Sequence, residues 1–130
     1  EPPKNVVALD FLKQNQHLGK INKKPLKALF KVVIDDILYE IAGICNYINY
    51  LKDQLKRLRT VESYDKKIQS THSERTKEYY GAGMKMLLKP GETFENYKQL
   101  ITEFSDAIVA REDRIKQLYD EIKIIKKLKV

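Results

Sequence analysis

The sequence predicts an all-α protein: an elongated helical bundle or antiparallel coiled coil of two long helices plus a short N-terminal helix. Three observations predict it. Charged residues make up 33% and apolar residues 42% of 130 residues, with five Gly and four Pro, a composition poor in chain breakers that leans toward helix and coiled coil. Two long segments carry large apolar residues at alternating spacings of three and four, the period of a helix that buries one stripe. Between those segments lies the stretch YYGAGMKMLLKPGETF, with three of the five glycines and one of the four prolines. A single helical domain over residues 1–130 is the expected organisation, since 15.3 kDa is one domain's worth of chain.

The elements follow in chain order. Asn5 is a plausible cap for a short helix over residues 5–18, with Val6, Leu9 and Leu12 on one side and Gly19 closing it. A basic connector leads to Pro25, well placed as the first residue of a long helix over residues 25–60. In that helix Phe30, Ile34, Ile37, Ile41, Ile44, Ile48, Leu51, Leu55 and Leu58 form an unbroken heptad seam. Val33, Leu38, Cys45 and Tyr47 flank its first half, which predicts burial on a wide face among three or more helices. Lys52, Gln54 and Arg59 flank the second half, which predicts a narrow two-helix seam.

Residues 61–80 read as a weaker helical segment. Val61, Tyr64 and Ile68 keep the spacing, but Thr71, His72 and Arg75 then fall at inward positions, so good burial is not expected there. Residues 81–93 read as a corner in which Gly81 and Gly83 end a helix, Met84, Met86, Leu87 and Leu88 pack the bend, and Pro90-Gly91 turns. A long C-terminal helix is expected over residues 94–129. Thr93 is its N-cap, and Phe94, Tyr97, Ile101, Phe104, Ile108, Arg111, Ile115, Leu118, Ile122 and Ile125 form its seam.

Arg111 stands alone among apolar seam residues, where a charged side chain either fixes register, with Asp35, Asp36 or Glu40 as partner, or snorkels to solvent. Of the net charge of +7, +5 falls within residues 1–31, where seven lysines face two acids. The cluster Lys20, Lys23, Lys24, Lys27 and Lys31 is therefore the candidate contact for phosphates of nucleic acid or lipid, beside the plainer meaning of a solvated face. Lys52, Lys56 and Arg59 make a second basic stripe, expected to keep the helix soluble. Four large apolar residues between lysines, Met84, Met86, Leu87 and Leu88, are a candidate docking corner.

Catalysis, cofactor binding and metal binding are not expected. Gly81 and Gly83 have Met86 where a dinucleotide fingerprint needs a third glycine, and no Gly-Lys-Ser/Thr occurs. The acidic pairs Asp35-Asp36, Glu112-Asp113 and Asp120-Glu121 are adjacent on helices and point to different faces. The single cysteine, Cys45, beside the apolar seam, is expected to be a small buried residue, and His17 and His72 have no Cys partners at ligand spacing. The longest uncharged run, Ile41–Leu51, is too short to span a bilayer and no hydrophobic targeting segment opens the chain, so a soluble, intracellular protein, cytoplasmic or nuclear, is expected. A first residue of Glu1 rather than Met is expected of an excerpt from a longer chain. No small-molecule substrate is expected either.

These features predict a non-catalytic scaffold or protein-protein interaction module that self-associates or docks partner helices within a larger assembly. Isoleucine at both seam positions favours more than two strands, hence a homo-oligomer or a partner helix. The alternative is a small basic nucleic-acid-binding protein or regulator that uses the lysine cluster.

Overall fold

The computed structural model describes residues 23–128, with side chains from residue 26. The described chain is all-helical: α1 spans Lys23–Ser70, α2 spans Glu74–Leu87 and α3 spans Tyr97–Lys127. The expected short helix over residues 5–18 lies outside the described residues. The helices pack as two compact units, one whose described part is residues 23–46 and 111–128, and one of residues 47–110.

In the first unit the opening half of α1 meets the closing half of α3. Phe30, Val33, Ile37 and Ile41 pack with Leu118, Ile122 and Ile125, and Ile34, Ile44 and Ile115 close the edges. These are seam residues of the two heptads together with Val33. The other flanking residues do not join them: Leu38, Cys45 and, in the second unit, Tyr47 are exposed. The expected wide burial of this half and the buried thiol are thus corrected. Among the described residues α1 meets one helix here, and a single partner covers only a narrow stripe.

The second unit reverses the expectation in the other direction, because three helical segments supply its core. Leu58 and Val61 of α1 pack with Met84 of α2 and with Tyr97 and Ile101 of α3, bordered by Leu55, Tyr64, Leu87, Leu88 and Phe104. Val61 is wholly buried, Tyr64 and Ile68 are partly buried at the border of this core, and residues 62–80 contain no further buried residue, so α1 continues to Ser70 with the thin burial its pattern predicts. Ile48, Leu51 and Ile108 are buried as the heptads require.

The break comes at residues 71–73, ahead of the glycines. Hydroxyl chemistry accounts for it. Ser70 Oγ donates back to the Lys67 carbonyl, and Thr71 Oγ1 accepts from the Ser73 amide at 3.2 Å. Ser73, in extended conformation, caps α2 by accepting from the Thr76 amide at 3.3 Å. Short hydroxyl side chains offer the backbone such local partners and favour helix ends over interiors.

Gly81 and Gly83 lie inside α2 and do not end it. At Gly83 a reason is visible, since an added Cβ would stand 2.9 Å from the Tyr64 ring, whereas at Gly81 it would meet nothing within 4 Å. Gly81→Ala is therefore expected to stabilise the protein by about 1 kcal/mol, the helix-propensity gain. Gly83→Ala is expected to forfeit that gain and end level or destabilised, because the ring must move. Paired thermal melts check this, and equal stabilisation by both would contradict the Tyr64 contact.

Candidate functional site

The corner between α2 and α3 is built from local rules. Glu92 N donates to the Lys89 carbonyl across Pro90-Gly91 at 3.0 Å, and Gly91 has φ +86. This is a turn with proline at its second position and a left-handed residue at its third, which glycine adopts without a Cβ clash. Thr93 and Asn96 then cap each other: the Asn96 amide donates to Thr93 Oγ1 at 3.1 Å and the Thr93 amide donates to Asn96 Oδ1 at 2.8 Å. The arrangement is a capping box with Asn in place of Glu. It makes Thr93 the expected cap, although residues 94–96 form a turn and the regular helix starts at Tyr97. Phe94 belongs to that turn and is exposed, which corrects its place in the seam.

Arg57 of α1 locks this corner. Its guanidinium gives Glu92 two hydrogen bonds, at 2.6 and 2.8 Å, donates to the Leu87 carbonyl at 2.8 Å and reaches Gln54 Oε1 at 3.0 Å. Glu92 also accepts from the Lys89 amide at 2.8 Å. With side-chain exposures of 16% and 12%, the pair is largely removed from water. The Arg57 hydrogen bond holds the Glu92 carboxyl below its ordinary value, against the opposing effect of burial.

A second buried polar contact ties α3 to α1. The Tyr97 hydroxyl donates to Asp65 Oδ2, and the ring is 1% exposed. Burial, and then the neighbouring Asp65 carboxylate, raise the Tyr97 pKa, so the phenol stays protonated as a donor. Tyr97→Phe would leave half-buried Asp65 short of that donor, and a loss of about 2 kcal/mol is expected in denaturant unfolding.

The structure distributes the remaining candidates as follows. Of the docking corner, Met84 is 3% exposed, Leu87 and Leu88 are half-buried, and Met86 alone is 87% exposed. Four neighbouring apolar residues thus do not make one patch, since α2 turns three of them toward its own unit. Of the lysine cluster, Lys27 and Lys31 are exposed on α1, Lys23 and Lys24 belong to its first turn, and Lys20 lies outside the described residues. Arg111 is half-buried. The cross-helix ion pair to Glu40 comes from Arg114, at 3.2 Å, which also approaches Glu121 at 3.8 Å. Sequence reasoning missed Arg114 because it stands one turn from the seam position of Arg111, at the flank where a long side chain can reach around the apolar stripe.

Asp35, Asp36, Glu112, Asp113 and Asp120 are exposed on helix surfaces. Among the described residues no group of three or more His, Cys, Asp or Glu could hold a metal ion, and no helix is long and apolar enough to cross a membrane. The unit of residues 23–46 and 111–128 instead presents apolar side chains outward: Val32, Leu38 and Tyr39 on α1, Tyr119 and Ile124 on α3. Compared with family models, with curated proteins and with solved structures, the chain finds no match.

Proposed function

We propose that the chain is a non-catalytic helical interaction module that holds further helices, from a second copy or from a partner, against the outward apolar side chains of its first unit. The observation that carries this reading is the exposure of Val32 at 54%, Leu38 at 45% and Tyr39 at 83% on α1, in a unit whose described core comes from two helical segments. An added helix would take these side chains out of water. Burial is worth roughly 25 cal/mol per Å² of apolar area, and a tyrosine contributes a large apolar ring with a polar tip. The following turn of α1, Ile41–Asn46, carries no charge, which fits the depletion of charged residues at the centre of protein interfaces. Isoleucine at both kinds of seam position also suits assemblies of more than two helices.

Light scattering at several protein concentrations, in low and high salt, tests the reading. Self-association through apolar faces predicts a multiple of 15.3 kDa that persists in high salt, and a fall toward monomer in a Leu38→Lys, Tyr39→Lys variant. Both residues are exposed, so unchanged helicity by circular dichroism is expected. A monomer at every concentration withdraws self-association. An unchanged mass in the double variant moves the interface off this face.

A further inference from the structure

The unit of residues 47–110 carries a shallow, open groove along a single face of α1, lined by Lys52, Leu55, Lys56, Arg59, Thr60 and Ser63. Its lining is three cations, two hydroxyls and one half-buried leucine, with no carboxylate. Four other cations of this unit have protein partners: Arg57 is paired with Glu92, Lys77 with Glu74, Lys89 reaches Gln54 and Lys67 lies over the Tyr80 ring; Lys66, Arg75, Lys85 and Lys98 lie apart from one another in sequence and do not form such a row. Among the described residues no ion pair engages Lys52, Lys56 or Arg59. Like charges three and four apart on a helix repel, and a bound anion relieves that repulsion.

We propose that this groove binds the phosphate backbone of a nucleic acid, independently of sequence. The row Lys52, Lys56, Arg59 runs along α1 for about 10 Å, and Ser63 extends it to about 16 Å at 1.5 Å per residue. This is a line of donors suited to successive charges of an extended polyanion more than to one compact anion. Lys, Arg and Ser side chains are the usual donors to phosphate oxygens. Thr60 already gives its hydroxyl hydrogen to the Lys56 carbonyl, so Ser63 is the hydroxyl donor of the set. Leu55 offers an apolar footing to a sugar or base edge. A carboxylate-rich protein segment is the competing ligand; the lining of three cations and two hydroxyls, with Leu55 its one apolar residue, suits a row of phosphates. The proposal goes beyond the interaction reading and uses different residues from it.

The test is binding of a labelled mixed-sequence DNA duplex by the full chain, followed by fluorescence anisotropy across salt concentrations. Three phosphate contacts correspond to a slope of log K against log salt of about −2.7, or about a 40-fold loss between 50 and 200 mM salt. The triple variant Lys52→Gln, Lys56→Gln, Arg59→Gln is expected to reduce the slope by nearly that amount with unchanged helicity and unchanged mass by light scattering. Lys27→Gln with Lys31→Gln is expected to leave this contribution in place. No duplex binding at low salt overturns the proposal. So does an undiminished slope in the triple variant, which would assign binding elsewhere, or capture of oligo-glutamate in preference to the duplex, which would make the ligand an acidic protein segment.

Discussion

Arg57→Met is expected to destabilise the protein by about 3 kcal/mol, most of it from groups left behind. Methionine replaces the aliphatic stem well, so lost packing is small. The Glu92 carboxylate, 12% exposed, would keep only the Lys89 amide among its present donors, and the Leu87 carbonyl would lose its Arg57 contact. Leaving a charge buried without its partner is the costly half of a broken pair. The double variant Arg57→Met, Glu92→Gln should therefore be more stable than Arg57→Met alone. Urea unfolding of the four members of this cycle checks it, and simple additivity of the single effects would show that the pair is not coupled.

The same pair sets an acid limit. Glu92 has its pKa lowered from 4.5 in the folded chain, so it binds protons more readily when unfolded. Its contribution is fully present above the ordinary carboxylate value and is lost as pH falls below 4.5 through the depressed value. Glu92→Gln should lose stability at neutral pH and show a shallower decline on acidification than the unaltered chain. Melting temperatures from neutral pH to pH 3 or so test that sign.

What was legible in the sequence was what repeats. The spacing from Phe30 to Leu58 and from Tyr97 to Ile125 located both long helices and most of the core, because burying one stripe of a long helix imposes that period on the chain. What the period does not encode was missed. The end of α1 is set by Ser70, Thr71 and Ser73 hydrogen-bonding to nearby backbone, and Met84 of α2 joins Leu58 and Val61 in the core, a consequence of the chain turning back and not of the local pattern. Gly81 and Gly83 read as breakers, yet a helix interior tolerates glycine at about 1 kcal/mol each when packing offsets it, and Met84 beside them is buried. Arg57 and Glu92 are 35 positions apart. Nothing in a heptad joins them.

Leu118→Ala tests the first unit at its centre. Leu118 has no exposed surface and packs in the cluster with Ile37, Ile122 and Ile125, so truncation removes buried methyl groups and leaves a cavity that two helical segments can only partly close. A loss of about 3 kcal/mol is expected. Leu38→Ala, on the outward face of the same unit, should change the stability of the isolated chain by no more than about 0.5 kcal/mol. The contrast becomes sharper by amide hydrogen exchange. A core supplied by few layers opens locally when it is weakened, so Leu118→Ala should raise exchange at residues 30–41 and 115–125 while residues 58–64 keep their protection. Protection lost to the same degree in both units would mean that α1 and α3 open as one cooperative element. A cost of Leu38→Ala that grows with protein concentration would mean that a second copy covers the outward face, which is the outcome that self-association through it requires.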